Sequence, residues 1–192
     1  TAVKGIRNQN ELAQESSEIS DFWSMLQGFQ TSGKCIEKAH YRIRYMKFFR
    51  PLSVKEDIEF KEARPILYLN TAAVASLFSS RNAGSTSNRS NWSTIMSYLK
   101  SHTSYLGLKQ DRFTILLPSG LPDYTIDIVN GEQVKKVKVN RPKALCFDYL
   151  QLKETFGLDL ETEVVAENQE EIPAESNVID LQQLKQNELP FE

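Results

Sequence analysis

Two hydrophobic periods organise the chain. Ile19, Phe22, Trp23 and Leu26 recur at helical spacing behind the candidate caps Ser17 and Ser20, which predicts a helix from about 17 to 30. Residues 1–15 before it are polar and aperiodic and read as a linker. In HYRIRYMKFF the period changes to two. Tyr41, Ile43 and Tyr45 fall on one side and Arg42, Arg44 and Met46 on the other, the pattern of a half-buried strand with a basic face. SVKEDIEFKEAR after Pro51 reads as a loop or irregular strand, and ILYL at 66–69 as a short buried strand.

Asn70 or Thr71 then caps a helix over 71–81 with Val74, Leu77 and Phe78 as its core face. Trp92, Ile95, Met96 and Leu99, at i, i+3, i+4 and i+7, predict a second helix over 90–101. Beyond it RFTILL reads as a strand, PSGLPD as a turn-rich tip, and YTIDIV as a strand with Tyr124, Ile126 and Ile128 in phase. Asn130-Gly131 signals a tight hairpin, because both turn positions need positive φ. EQVKKVKV shifts phase between Val134 and Val137, which predicts a bulge near Lys135 and Lys136. ALCF is a last buried strand, and YLQLKETFG a short helix stopped by Gly157. Acids and Gln dominate the remainder, so 158–192 reads as a disordered acidic tail.

This order predicts an α+β protein with a winged-helix-like centre within a domain over 16–157. Its paired helices are 71–81 and 90–101 and its wing is 112–129, with a basic strand and a β-hairpin added and an acidic tail behind. At 192 residues with 40% apolar content, the chain has enough material for one core. No apolar run reaches the length of a membrane span and no basic-then-apolar leader opens the chain, so a soluble, cytoplasmic protein without a membrane partner is expected. A starting Thr points to a fragment of something longer. Cys35 and Cys146 suit reduced, buried thiols better than a disulfide framework.

Charge changes the picture most. The net charge is only -2, yet Lys34 to Lys143 holds 19 Lys and Arg against 9 Asp and Glu, whereas Ala144 to the end holds 2 against 12. A basic body with an acidic tail points to nucleic acid as partner. SSRNAGSTSNRSNWS, residues 79–93, contains no acid, and none occurs between Glu62 and Asp111. Arg81 and Arg89 frame this loop. Ser90, Asn91, Ser93, Thr94, Ser97 and Lys100 occupy the start and outer face of the helix after it. Small hydroxyl side chains at a helix N-terminus let a phosphodiester backbone approach the unpaired N–H groups. Ser, Asn and Gly equally suit a plain connector. The connector is longer than a usual helix-turn-helix turn, which favours backbone or shape recognition over base reading.

Two basic clusters extend the candidate interface. Arg42 and Arg44, with Tyr41, Tyr45, Phe48 and Phe49 beside Lys47 and Arg50, form either a stacking platform for a single strand or a strand with buried aromatics and solvated cations. Lys135, Lys136 and Lys138, with Arg141 and Lys143, suit sequence-indifferent phosphate contacts.

DFWSMLQGFQTSGKCIEKAHYRIRY, ILYLN with VASLF, WSTIMSYLKSHTSYLG with a following RF, and ALCFDYLQLKE together resemble the region after the motor domain in primase-helicase proteins from mobile elements of Bacteroides-type bacteria. The resemblance runs in order over residues 18–157. It implies a winged-helix-like accessory domain that engages DNA in replication, beside an ATPase motor in the same parent chain, with catalysis located elsewhere.

Rival chemistries leave fewer traces. GFQTSGKC at 28–35 fits G-x-x-x-x-G-K and ALCFD resembles an apolar strand ending in a Mg²⁺-supporting Asp, so a degenerate P-loop is an alternative. A helix precedes it where a strand is required, and Cys35 stands where a hydroxyl would ligate Mg²⁺. His40 and His102 have no metal-ligand spacing to a cysteine, and no cofactor or metal is implied. No catalytic constellation stands out, although a Cys-His pair stays open. A non-catalytic module docking an acidic protein is the other alternative. The tail, ending in QNELPFE, reads as a solvating linker, as a recruiting tip like those of single-strand-binding proteins, or as a segment that folds back and competes with nucleic acid.

Overall fold

The computed structural model describes residues 2–82 and 91–162, with side chains described from Leu12 to Ser80 and from Asn91 to Thr162. It is a mixed α+β structure with antiparallel sheets. In chain order the elements are α1 (Ala2–Thr31), β1 (Tyr41–Phe49), β2 (Ile58–Asn70), α2 (Thr71–Asn82), α3 (Trp92–Ser101), β3 (Tyr105–Gln110) and β4 (Phe113–Thr114). There follow β5 (Tyr124–Val129), β6 (Glu132–Val137), β7 (Val139–Asn140), β8 (Lys143–Asp148) and α4 (Tyr149–Phe156).

The main sheet has the order β1-β2-β8-β3. Its register converts the alternation in the sequence into two distinct faces. Tyr41 pairs with Leu69 and Ile43 with Leu67, while Leu67 and Leu69 pair with Phe147 and Leu145. These six side chains point one way and pack under Ile19, Phe22, Trp23 and Leu26 of α1, Val74 and Phe78 of α2, Ile95 and Leu99 of α3, and Leu152 of α4. Trp23 stands edge-on to Phe147 at 5.2 Å between ring centroids, an arrangement favoured by the ring quadrupoles. All four helices thus close one face of the sheet.

On the other face Arg42 pairs with Tyr68 and Arg44 with Ile66. A smaller core of Phe49, Ile66, Tyr68, Phe113, Ala144 and Cys146 covers part of it. The connection after β1 crosses over β3 here: Leu52 N–H donates to Leu108 O at 2.8 Å, and Pro51 lies against Gly107. Gly107 has φ +131°, and a Cβ built on it would meet Pro51 Cβ at 2.7 Å, so the crossing requires glycine on both counts.

Several boundaries differ from expectation. α1 begins at Ala2, so the residues read as a linker continue the helix. Ile58–Asn70 forms one strand containing Pro65, which lies outside the β8 pairing that starts at Ile66, where no ladder donor is needed. YLGLKQ is a main-sheet strand, whereas RFTILL contributes only Phe113–Thr114, paired with β7. The hairpin strands are β5 and β6, not 112–117 and 124–129 as the predicted wing required; Asn130 and Gly131 turn it with φ 54° and 86°. Its register is continuous, so the bulge expected at Lys135 and Lys136 is absent and Val134 and Val137 face opposite sides. α4 runs from its Asp148 cap to Gly157 at φ 65°. Leu158 and Leu160 are buried, and Tyr41 Oη donates to Glu161 O, so the packed body continues through the start of the expected tail as far as Thr162.

Candidate nucleic-acid interface

The start of α3 is capped from within. Asn91 Oδ1 accepts from Thr94 N–H at 2.9 Å and from Thr94 Oγ1 at 3.1 Å. Ser93, Ser97 and Lys100 are exposed along one side of the helix, whose other side buries Ile95 and Leu99 and sets Trp92 against Phe22 and Phe78. At the far end Ser101 Oγ donates to Glu15 of α1. Among the described residues, this face therefore carries hydroxyls, one lysine and a nearby carboxylate. Arg89 and Ser90 lie outside the described residues, as does the side chain of Arg81.

Arg42 and Arg44 are not part of that surface. Their neighbours Tyr41 and Ile43 face the helices, so both arginines project from the opposite side of the sheet. Arg44 makes a two-pronged ion pair with Asp111, Nε to Oδ2 at 3.0 Å and Nη2 to Oδ1 at 2.8 Å, and Arg42 Nη1 donates to Arg112 O at 2.9 Å. The third cluster sits on the hairpin. Lys135 lies over the Tyr124 ring at 4.1 Å, Lys136 pairs with Asp127 at 3.1 Å and Lys138 with Asp123 at 2.8 Å. The hairpin lysines thus divide between its two faces, and two of them have carboxylate partners. Among the described residues, the three expected clusters do not merge into a surface centred on α3.

What converges instead is a groove on the sheet face opposite the helices, with a volume of about 1080 Å³. Arg42 and Arg44 line it from β1, Arg50 from the crossing connection, Lys109 and Arg112 from the end of β3 and the turn beyond, and Lys38 and Arg141 from its ends. Three carboxylates, Glu37, Asp57 and Asp111, stand among these seven cations. Arg50 holds Asp57 through Nε to Oδ1 at 2.6 Å and Nη2 to Oδ2 at 2.9 Å, and these hydrogen bonds hold the Asp57 carboxyl below its usual range. Asp111 and Asp57 fix two arginine forks, and cations outnumber carboxylates seven to three in the lining. Phe48, Leu52 and Val54 add an exposed apolar wall.

Sequence reasoning reached Arg42, Arg44, Phe48 and Arg50 in one candidate cluster and Arg141 in another, but missed Lys38, Lys109, Arg112 and the carboxylates among them. Asp111 stands 67 residues from Arg44, and no local pattern signals such a pair. The usable signals were Gly107 within an apolar run and Pro51 directly after a basic strand, the two residues that make the crossing possible.

Other chemistries have no such convergence. The N–H groups of Gly33, Lys34 and Cys35 donate to Gln30 O and Phe29 O at the end of α1, at 2.8–2.9 Å, so the GKC stretch is a helix terminus rather than a phosphate cradle. Burial pushes the Cys35 thiol up to about 12, far from a reactive thiolate, and His40 Nδ1 is occupied by Ile36 N–H at 3.0 Å. Among the described residues no three of His, Cys, Asp and Glu gather as a metal-binding group, and no described helix is long and apolar enough to cross a membrane.

Comparison with known proteins yields no matching family model, no matching curated protein and no matching solved structure.

Proposed function

We propose that the chain is a nucleic-acid-binding, non-catalytic accessory domain, and that its binding seat is the groove opposite the helices. The observation that carries this reading is the groove's excess of cations over carboxylates in a concave, solvent-open setting. Such a surface attracts a polyanion through phosphate contacts, releases counterions and reads little sequence. DNA is the partner assigned. The resemblance of residues 18–157 supports a place beside the ATPase motor of a replication or mobile-element primase-helicase in bacterial cytoplasm. A winged-helix-like reading keeps α2 and α3 as the helix pair and takes the β5–β6 hairpin as the wing.

The test is titration of labelled DNA with the 192-residue chain at two salt concentrations, followed by the double variant Lys109→Glu/Arg141→Glu. Affinity should fall steeply with salt, and the variant should lose about tenfold with a slope shallower by about two. An absence of binding at low salt would refute the reading. So would an unchanged affinity in a variant with an unaltered circular dichroism spectrum.

One observation favours a second reading, a module that docks an acidic protein. Ile126 and Ile128 are 68% and 75% exposed on one face of the hairpin, with Tyr124 and Val137 beside them. An apolar strip on a projecting arm suits a protein surface better than a phosphate backbone.

A further inference from the structure

We infer that the groove takes a single strand in extended form, with Phe48 as the platform on which a base stacks. This deepens the nucleic-acid reading and rests on it.

Adjacent phenylalanines at the end of β1 have opposite fates. The β1–β2 register shifts between Met46 and Phe48, so that Phe49 is fully buried in the smaller core while Phe48 is 52% exposed at the groove. Leu52 and Val54, on the connection that crosses β3, are 53% and 48% exposed along the same groove. Lys47 stands 5.7 Å from the Phe48 ring centroid. The groove is therefore lined both by these exposed apolar side chains and by cations that include Arg42, Lys109 and Arg112.

This pairing of chemistries separates the two forms of nucleic acid. A duplex turns phosphates outward and keeps its base faces stacked inside, so an exposed ring next to its backbone gains nothing. Proteins read duplexes by inserting a convex element into a groove of the DNA. Here the protein supplies the concavity. An unpaired strand presents charged phosphates along one edge and free base faces along the other, which suits a groove lined by both cations and an exposed aromatic ring. Phe48, Leu52 and Val54 are not members of the smaller core, which is built from Phe49, Ile66, Tyr68, Phe113, Ala144 and Cys146.

The experiment compares fluorescence anisotropy of a labelled oligothymidine, a duplex of the same length and a polyglutamate peptide against the full 192-residue chain, for the wild type, Phe48→Ala and Phe48→Trp. Expected are tighter binding of the single strand than of the duplex, a loss of about tenfold in Phe48→Ala, and retention in Phe48→Trp. Quenching of the introduced indole on adding oligothymidine gives a readout that a purely structural role would not produce. Equal or tighter duplex binding overturns this inference while leaving the nucleic-acid reading standing. Full affinity in a folded Phe48→Ala also overturns it. Binding of polyglutamate but of neither nucleic acid overturns both and favours the acidic-protein reading.

Discussion

The two faces of the main sheet are built from alternate residues of the same strands and do opposite things. On one, Tyr41, Ile43, Leu67, Leu69, Leu145 and Phe147 are sealed under four helices. On the other, Arg42 and Arg44 stand beside a core of only six buried residues and open into a charged groove. Stability is concentrated on the first face, because large apolar side chains bury most of their surface there. That allows the second to keep cations, exposed apolar groups and a glycine-dependent crossing at Gly107, features that stabilise little. The surface that holds the fold and the surface proposed to hold a partner are the two faces of one sheet.

The largest expected effect breaks the closed face. Trp23→Ala, which removes a fully buried ring packed against Phe22 and Phe147, should lower unfolding stability by about 3–5 kcal/mol in urea denaturation. A loss below about 1 kcal/mol would mean that the helices do not hold the sheet as described.

Next comes the crossing that shapes the open face. Gly107→Ala places a methyl 2.7 Å from Pro51 Cβ on a backbone of φ +131°, and should cost more than about 1 kcal/mol. Because the crossing forms one wall of the groove, DNA affinity in conditions where the variant is folded should fall as well. Loss of stability alone would detach the crossing from the site.

A smaller effect sits at the turn that launches β1. Burial lowers the pKa of His40, whose Nδ1 accepts from Ile36 N–H. The folded ring stays neutral where the unfolded one, titrating near 6.5, takes up a proton. The contribution is therefore intact above about pH 6.5 and lost as pH falls below it. Thermal melts of wild type and His40→Gln across this range should diverge on the acid side; parallel curves would remove His40 from the account.

Smallest is the change on the outer side of α3. Ser97→Ala with Lys100→Gln alters exposed groups on the helix side of the sheet and should shift stability by less than about 0.5 kcal/mol and DNA affinity by less than twofold. A tenfold loss would return the interface to α3.

How much of this was readable from residues alone follows from the range of the interactions. The alternation Tyr41-Arg42-Ile43-Arg44 states both faces of the sheet locally, and Asn130-Gly131 states its turn, since period and positive φ are properties of a few neighbours. The start of α1 was not legible, because residues 1–15 carry no apolar period to detect. β3 was missed because Gly107 interrupts an apolar run for a tertiary reason, the approach of Pro51. The groove was legible only in part, through Arg42, Arg44, Phe48 and Arg50 of the basic strand and through Arg141. Its shape depends on the pairing of Arg44 with Asp111 and the bond from Leu52 to Leu108, both fixed by packing across the sheet. Charge counts along the chain could not say that Arg42 and Arg44 project from the sheet face opposite the one that α3 covers.

The most direct measurement of the central claim is amide hydrogen exchange of the 192-residue chain with and without DNA. Protection gathered in residues 42–54 and 109–112, with 92–101 unchanged, is the result expected of a seat on the open face of the sheet. Protection gathered in 92–101, with the groove segments unchanged, would contradict it.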